Sequence, residues 1–79
     1  MELEVRLFAG LHKYVEGTKS GEPFTVHAGE NATIADLLKQ LGIPEKAAFV
    51  TLVNGSASPA STVLKDRDRV GIFPPVGGG

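Results

Sequence analysis

The residues with the most chemical promise are Gly77, Gly78 and Gly79, on the base Phe73-Pro74-Pro75-Val76. Glycine lacks a Cβ, so its backbone passes where no other residue fits. Pro74 and Pro75 fix φ and push Phe73 into an extended conformation. Three extended residues reach roughly 10 Å, enough to enter a narrow channel on another protein. What arrives is a bare carboxylate, ionised at neutral pH because its ordinary pKa is about 3.3–3.7. Its charge repels nucleophiles and makes it a poor electrophile.

Other reactive types are sparse. His12 and His27 lack metal-ligand spacing and read as surface residues. Asp66 and Asp68 have too few neighbouring oxygen ligands for a cation loop and read as a solvated turn. The chain has no cysteine, hence no thiol nucleophile, thiolate metal site or disulfide, and no metal is expected. There is no glycine-rich phosphate loop, so any nucleotide would be a partner's. The chain is expected to be non-catalytic alone and to bind no cofactor.

The chain must hold that tail on a small scaffold. Seventy-nine residues with 42% hydrophobic and 22% charged side chains suit one marginal core. A net charge of −1 with scattered Lys and Arg argues against a nucleic-acid partner. The alternating start, Met1-Glu2-Leu3-Glu4-Val5-Arg6-Leu7, is no signal peptide, and no apolar run spans a membrane. A soluble, cytoplasmic protein is expected.

Residues 2–8 read as a strand, with Leu3, Val5 and Leu7 on one face and Phe8 on the face of the charges. Residues 9–21 open with a possible helical turn, where Leu11 and Tyr14 could cap the core, and end in a glycine-punctuated loop. Glu22–His27 reads as a second strand, its Pro23 suited to an edge. Ile34, Leu37, Leu38 and Leu41 form one apolar stripe, with Thr33 as N-cap, Asp36 in the first turn and Gly42 as C-cap. With Phe24 and Val26, that stripe is expected to be core.

Ala48–Val53 reads as a strand, Asn54-Gly55 as a tight turn, 56–62 as loop and Val63-Leu64 as a possible short strand. After the charged turn Lys65–Asp68 comes the last strand, Arg69–Phe73, with Val70 and Ile72 inward and Phe73 outward. One amphipathic helix among four or five strands needs a sheet to cover. The predicted class is α+β, a mixed sheet of four to five strands with one main helix packed across one face. This order matches the β-grasp, or ubiquitin-like, fold. That fold implies parallel first and last strands at the sheet centre, which would set Phe8 beside Phe73 at the root of the tail. Residues 1–76 are assigned to the domain and 77–79 to a flexible tail.

Val5–Leu11, Thr33–Leu38, Val53-Asn54-Gly55, Leu64–Val70 and the Phe-Pro-Pro-Val-x-Gly-Gly ending resemble the MoaD/ThiS sulfur carriers, most of all the small subunit of molybdopterin synthase. The resemblance covers essentially the whole chain. It implies that a ubiquitin-activating-like enzyme adenylates the Gly79 carboxylate with ATP. A persulfide sulfur from a donor such as a cysteine desulfurase or rhodanese then displaces AMP to leave a thiocarboxylate. The synthase large subunit, expected in a heterotetramer with this chain, uses that sulfur to build the dithiolene of molybdopterin. Gly77 and Gly78 would thread the tail, while Phe8, Phe73, Pro74, Pro75 and Val76 would meet the partners. Three positions depart from the family pattern: Gly77 stands where alanine or threonine is usual, His12 where a basic residue is, and Arg67 where glycine is. A positive φ at Arg67 would carry a local cost.

Three other readings remain open. The same carrier chemistry could feed thiamin thiazole or another sulfur metabolite, or Gly79 could be conjugated to lysines as a ubiquitin-like modifier. A plain interaction domain with an incidental tail is the third possibility.

Overall fold

The computed structural model describes residues 1–75; Val76 and the expected tail 77–79 lie outside the described residues. Five strands form one sheet in the order β2-β1-β5-β3-β4. They are β1 (Glu2–Leu7), β2 (Phe24–His27), β3 (Val50–Val53), β4 (Ser56–Ala57) and β5 (Arg69–Phe73), and α1 (Ile34–Leu41) is the helix. β1 and β5 pair in parallel, and β1–β2, β3–β5 and β3–β4 pair antiparallel. This is the mixed sheet and single helix of the β-grasp class.

The alternation in β1 sorts its side chains. Leu3, Val5 and Leu7 are fully buried, as are Val70 and Ile72 across the ladder in β5. Ile34, Leu37 and Leu38 of α1 close the core from above, joined by Leu11, Val26, Ile43 and Leu64. Phe24 and Leu41 lie at its margin, partly buried. Burying a Leu or Ile contributes about 1.5–3 kcal/mol, so this cluster is what holds so short a chain folded.

The helix ends are chemically specified. The Thr33 N–H donates to Asp36 Oδ2 at 3.0 Å, and the Asp36 N–H donates to Thr33 Oγ1 at 3.2 Å, a reciprocal capping box. Gly42 adopts a left-handed φ of 75° and its N–H closes the last turn. The Thr33 backbone donor, followed by the Thr33 side chain, holds the Asp36 carboxyl below its usual value of 3.8. Ionised Asp36 therefore stabilises the fold above that pH, and its contribution is lost as pH falls through the lowered value. Urea midpoints taken from about pH 5 to about pH 2 are expected to fall less in Asp36→Asn than in the parent.

The charged turn 65–68 sets the register of β5. The Asp66 and Asp68 carboxylates accept from the Glu2 N–H (2.8 Å) and the Lys65 N–H (2.8 Å). Asn54 Nδ2 donates to Asp68 Oδ1 (2.9 Å), and Asn54 Oδ1 accepts from the Arg69 N–H (3.0 Å). A slip of one residue in β5 would turn Phe73 to the wrong face, so these bonds fix where the tail leaves. Arg67 does sit at positive φ, 70°, while its N–H donates to the Glu2 carbonyl at 2.7 Å. Glycine relieves the left-handed penalty but has more freedom to lose on folding, so Arg67→Gly is expected to stabilise by about 0.5–1 kcal/mol. A rise in Tm on thermal melting checks this.

Several sequence expectations need correction. β1 ends at Leu7 and β2 starts at Phe24, because Pro23 cannot join the ladder. Tyr14 ends a 3₁₀ turn (Leu11–Tyr14) and is exposed; Val15 packs against the core instead. Pro44 leads into a second 3₁₀ turn, Glu45–Ala47, so the run at 48–53 becomes a strand only at Val50, and Phe49 is 69% exposed. Ser56-Ala57 forms a strand where loop was expected, closed by Asn54 and Gly55 at φ 51° and 86°. Val63 makes a lone bridge to Thr33 and is exposed, while Leu64 is buried.

Candidate functional site

The site grows from the parallel pairing of β1 and β5. Leu7 lies opposite Ile72, and the Phe8 N–H donates to the Ile72 carbonyl at 3.1 Å. Phe8 and Phe73 therefore emerge side by side, where adjacent strands run about 4.8 Å apart. Their rings stack with centroids 4.4 Å apart and planes within 3°, an arrangement worth about 0.5–1.5 kcal/mol beyond the area it buries. Both rings are half-buried. They lie on the sheet face opposite the helix, since Leu7 and Ile72 point into the core.

Gly71 lies beneath them. A Cβ there would stand 3.5 Å from Phe8 Cε2 and 3.7 Å from Phe73 Cε1, ordinary contact, so the rings lean over bare backbone. On this face Phe8, Phe73, Gly71, Leu52, Arg6 and Arg69 line a shallow open groove of about 390 Å³. Arg6 reaches Glu4 at 3.7 Å with both side chains nearly half exposed, a pair worth little to stability. One end of the groove is thus aromatic and the other mixed in charge.

Of the residues singled out from sequence, the structure brings Phe8 and Phe73 into contact and continues into half-buried Pro74 and exposed Pro75. Val76, Gly77, Gly78 and Gly79 lie outside the described residues. Gly71 and Leu52 were not anticipated. Gly71 shares the alternation of Arg69 and Phe73, the signal that could have found it. Leu52 depends on a β3–β5 register that no local pattern reveals. Among the described residues, no three His, Cys, Asp or Glu side chains gather to hold a metal ion. No helix of the described chain is long and apolar enough to cross a membrane.

A five-stranded mixed sheet with β1 and β5 parallel at its centre and one α-helix across a face is a β-grasp fold of the ubiquitin-like type. The chain belongs to the ThiS family, whose sequence profile matches residues 5–79. Among solved structures it resembles the Haloferax volcanii HVO 2177 protein, with 30% identity and a TM-score of 0.76 over 100% of this chain and 87% of that one. It also resembles a chain from the Helicobacter pylori complex of subunits 1 and 2 of molybdopterin-converting factor, with 26% identity, a TM-score of 0.63 and full coverage of both chains. SAMP1 from Haloferax volcanii shares the fold, with a TM-score of 0.72 and 24% identity over the whole of both chains. No match was found among the curated proteins.

Proposed function

We propose that this chain carries sulfur on the Gly79 carboxylate and delivers it for molybdopterin synthesis. The observation that carries the reading is the stacked Phe8–Phe73 pair, set where β1 and β5 end together, immediately before Pro74-Pro75. An apolar platform at the root of a thin ending suits a partner that grips the domain while its active site takes the tip. Membership of the ThiS family and the likeness to a chain of the Helicobacter pylori complex support it.

The chemistry belongs to the partners. A Gly79 carboxylate oxygen attacks the α-phosphorus of ATP and pyrophosphate leaves, giving an acyl adenylate. The terminal sulfur of a donor persulfide then attacks the acyl carbon, and AMP departs. A thiol cleaves the resulting S–S bond, leaving a thiocarboxylate on Gly79. Adenylation removes the negative charge that repels nucleophiles and supplies a good leaving group. The chain contributes position: a fixed platform and a short tether that place one carbonyl carbon. Within the synthase, the large subunit would receive this tip in a heterotetramer.

The test supplies thiocarboxylated chain to the large synthase subunit with its pterin precursor and follows dithiolene formation. Product that depends on the thiocarboxylate supports the reading; no product, with sulfur passing instead to a thiazole precursor, overturns the molybdopterin assignment. The same activated acyl carbon would also react with a lysine amine, so a ladder of protein conjugates would favour the modifier reading. Phe73→Ala removes half of the stacked platform and is expected to weaken the large-subunit complex about 10-fold or more. Titration calorimetry checks this, and unchanged affinity would remove the platform from the account.

A further inference from the structure

Beyond the stacked pair, the distribution of charge is uneven. Charged residues are 22% of the chain, yet residues 47–64 contain no Asp, Glu, Lys, Arg or His, and neither do residues 70–79. In the fold these two stretches are neighbours. β3 pairs antiparallel with β5 so that Val50 lies opposite Phe73, which brings Phe49 level with Pro74. From the β3–β4 edge to the root of the tail, neither of these stretches contributes a charged side chain. Phe49 stands at this end with 69% of its surface exposed, beside a shallow groove of about 240 Å³ lined by Phe49, Val50, Thr51, Ala57, Ser58 and Pro59.

A single exposed aromatic would mean nothing. The short distance along the chain to Gly79 gives this one meaning. Gly79 lies four residues beyond Pro75, and four fully extended residues span at most about 14 Å. An active site that takes Gly79 must lie within that distance of Pro75, so the protein holding it abuts the surface around Pro75. Phe49 and the uncharged residues of β3 and β4 that follow it are part of that surface. An apolar rim on the partner would match it without desolvating a charge, and aromatic residues are frequent anchors of such contacts.

We infer that Phe49, with the uncharged β3–β4 edge, is a docking surface for an apolar rim around the active site of the adenylating enzyme that takes Gly79. This rests on the carrier reading above and adds a contact to it: the enzyme grips the domain at Phe49 as well as at the Phe8–Phe73 stack. Phe49 makes the encounter productive but touches no reacting atom, so it acts on binding alone.

The test is ATP–pyrophosphate exchange catalysed by the adenylating enzyme, with the full chain as the varied substrate. Phe49→Asp is expected to raise KM for the chain about 10-fold or more, with kcat retained. Phe49→Leu is expected to stay within about 3-fold of the parent, because it keeps an apolar contact. Circular dichroism of both variants should match the parent, since Phe49 is outside the core. Exchange with the parent chain but an unchanged KM in Phe49→Asp would overturn the docking surface and leave the carrier reading intact. No exchange with the parent chain would overturn the carrier reading, and the docking surface with it. Sedimentation gives a further check: a parent dimer that Phe49→Asp converts to monomer would assign this surface to self-association and overturn the proposal.

Discussion

Deletion of Gly78 and Gly79 is expected to abolish thiocarboxylate formation while leaving the domain as stable as the parent. The truncated chain still ends in a glycine carboxylate, at Gly77, so the reacting group is chemically unchanged. What changes is reach, because two residues account for about 7 Å of extended chain. A misplacement of about 1 Å at a reacting centre can cost about 100-fold in rate, so losing several ångströms should remove detectable turnover. Among the described residues the buried cluster runs from Leu3 to Ile72, and glycine has no side chain to add to a core, so Tm is expected not to move. Adenylation and sulfur loading, followed on the parent and truncated chains side by side, check the first half; thermal melts check the second. A truncated chain that still loads sulfur would remove the ending from the mechanism.

The second large effect concerns the scaffold. Leu37 is fully buried at the centre of α1, between the helix and the sheet it covers. Leu37→Ala is expected to cost about 2–5 kcal/mol, from lost transfer energy and the cavity left behind. Alanine is at least as good a helix former as leucine, so helix propensity does not explain the loss. Folded domains are stable by only about 0.05–0.15 kcal/mol per residue, so a chain this short would lose a large share of its total. The urea midpoint should fall sharply with little change in slope. Such a variant would fail as a carrier by unfolding, which separates it from tail and platform variants that fail while folded.

The parts of the fold legible in the sequence are those where local pattern and tertiary demand agree. The stripe Ile34-Leu37-Leu38-Leu41 has helical period and meets a capping box at Thr33 and a left-handed glycine at Gly42, so its start, end and buried face could all be read. The strict alternation of Leu3, Val5 and Leu7 did the same for β1. The adjacency of β1 and β5 is non-local; it came from the fold the element order resembles, and Phe8 against Phe73 followed from it. β4 was unreadable because Ser56 and Ala57 are exposed and too few to alternate; only their pairing with Leu52 and Val53 makes them a strand. Phe49 misled for the opposite reason: an apolar run looks like a buried strand, whereas the 3₁₀ turn after Pro44 delays pairing until Val50. The same residue that breaks the pattern stands exposed beside the root of the tail.

The central claim is that Gly79 carries sulfur, and mass spectrometry of the C-terminal peptide, from chain recovered from its native cells, tests it most directly. The account predicts one oxygen replaced by sulfur on the glycine-terminated fragment. Oxidation of Met1 gives nearly the same gain in mass, so the change must be localised to the tail. A carboxylate that stays free even when an adenylating enzyme, ATP and a sulfur donor are supplied would contradict the account.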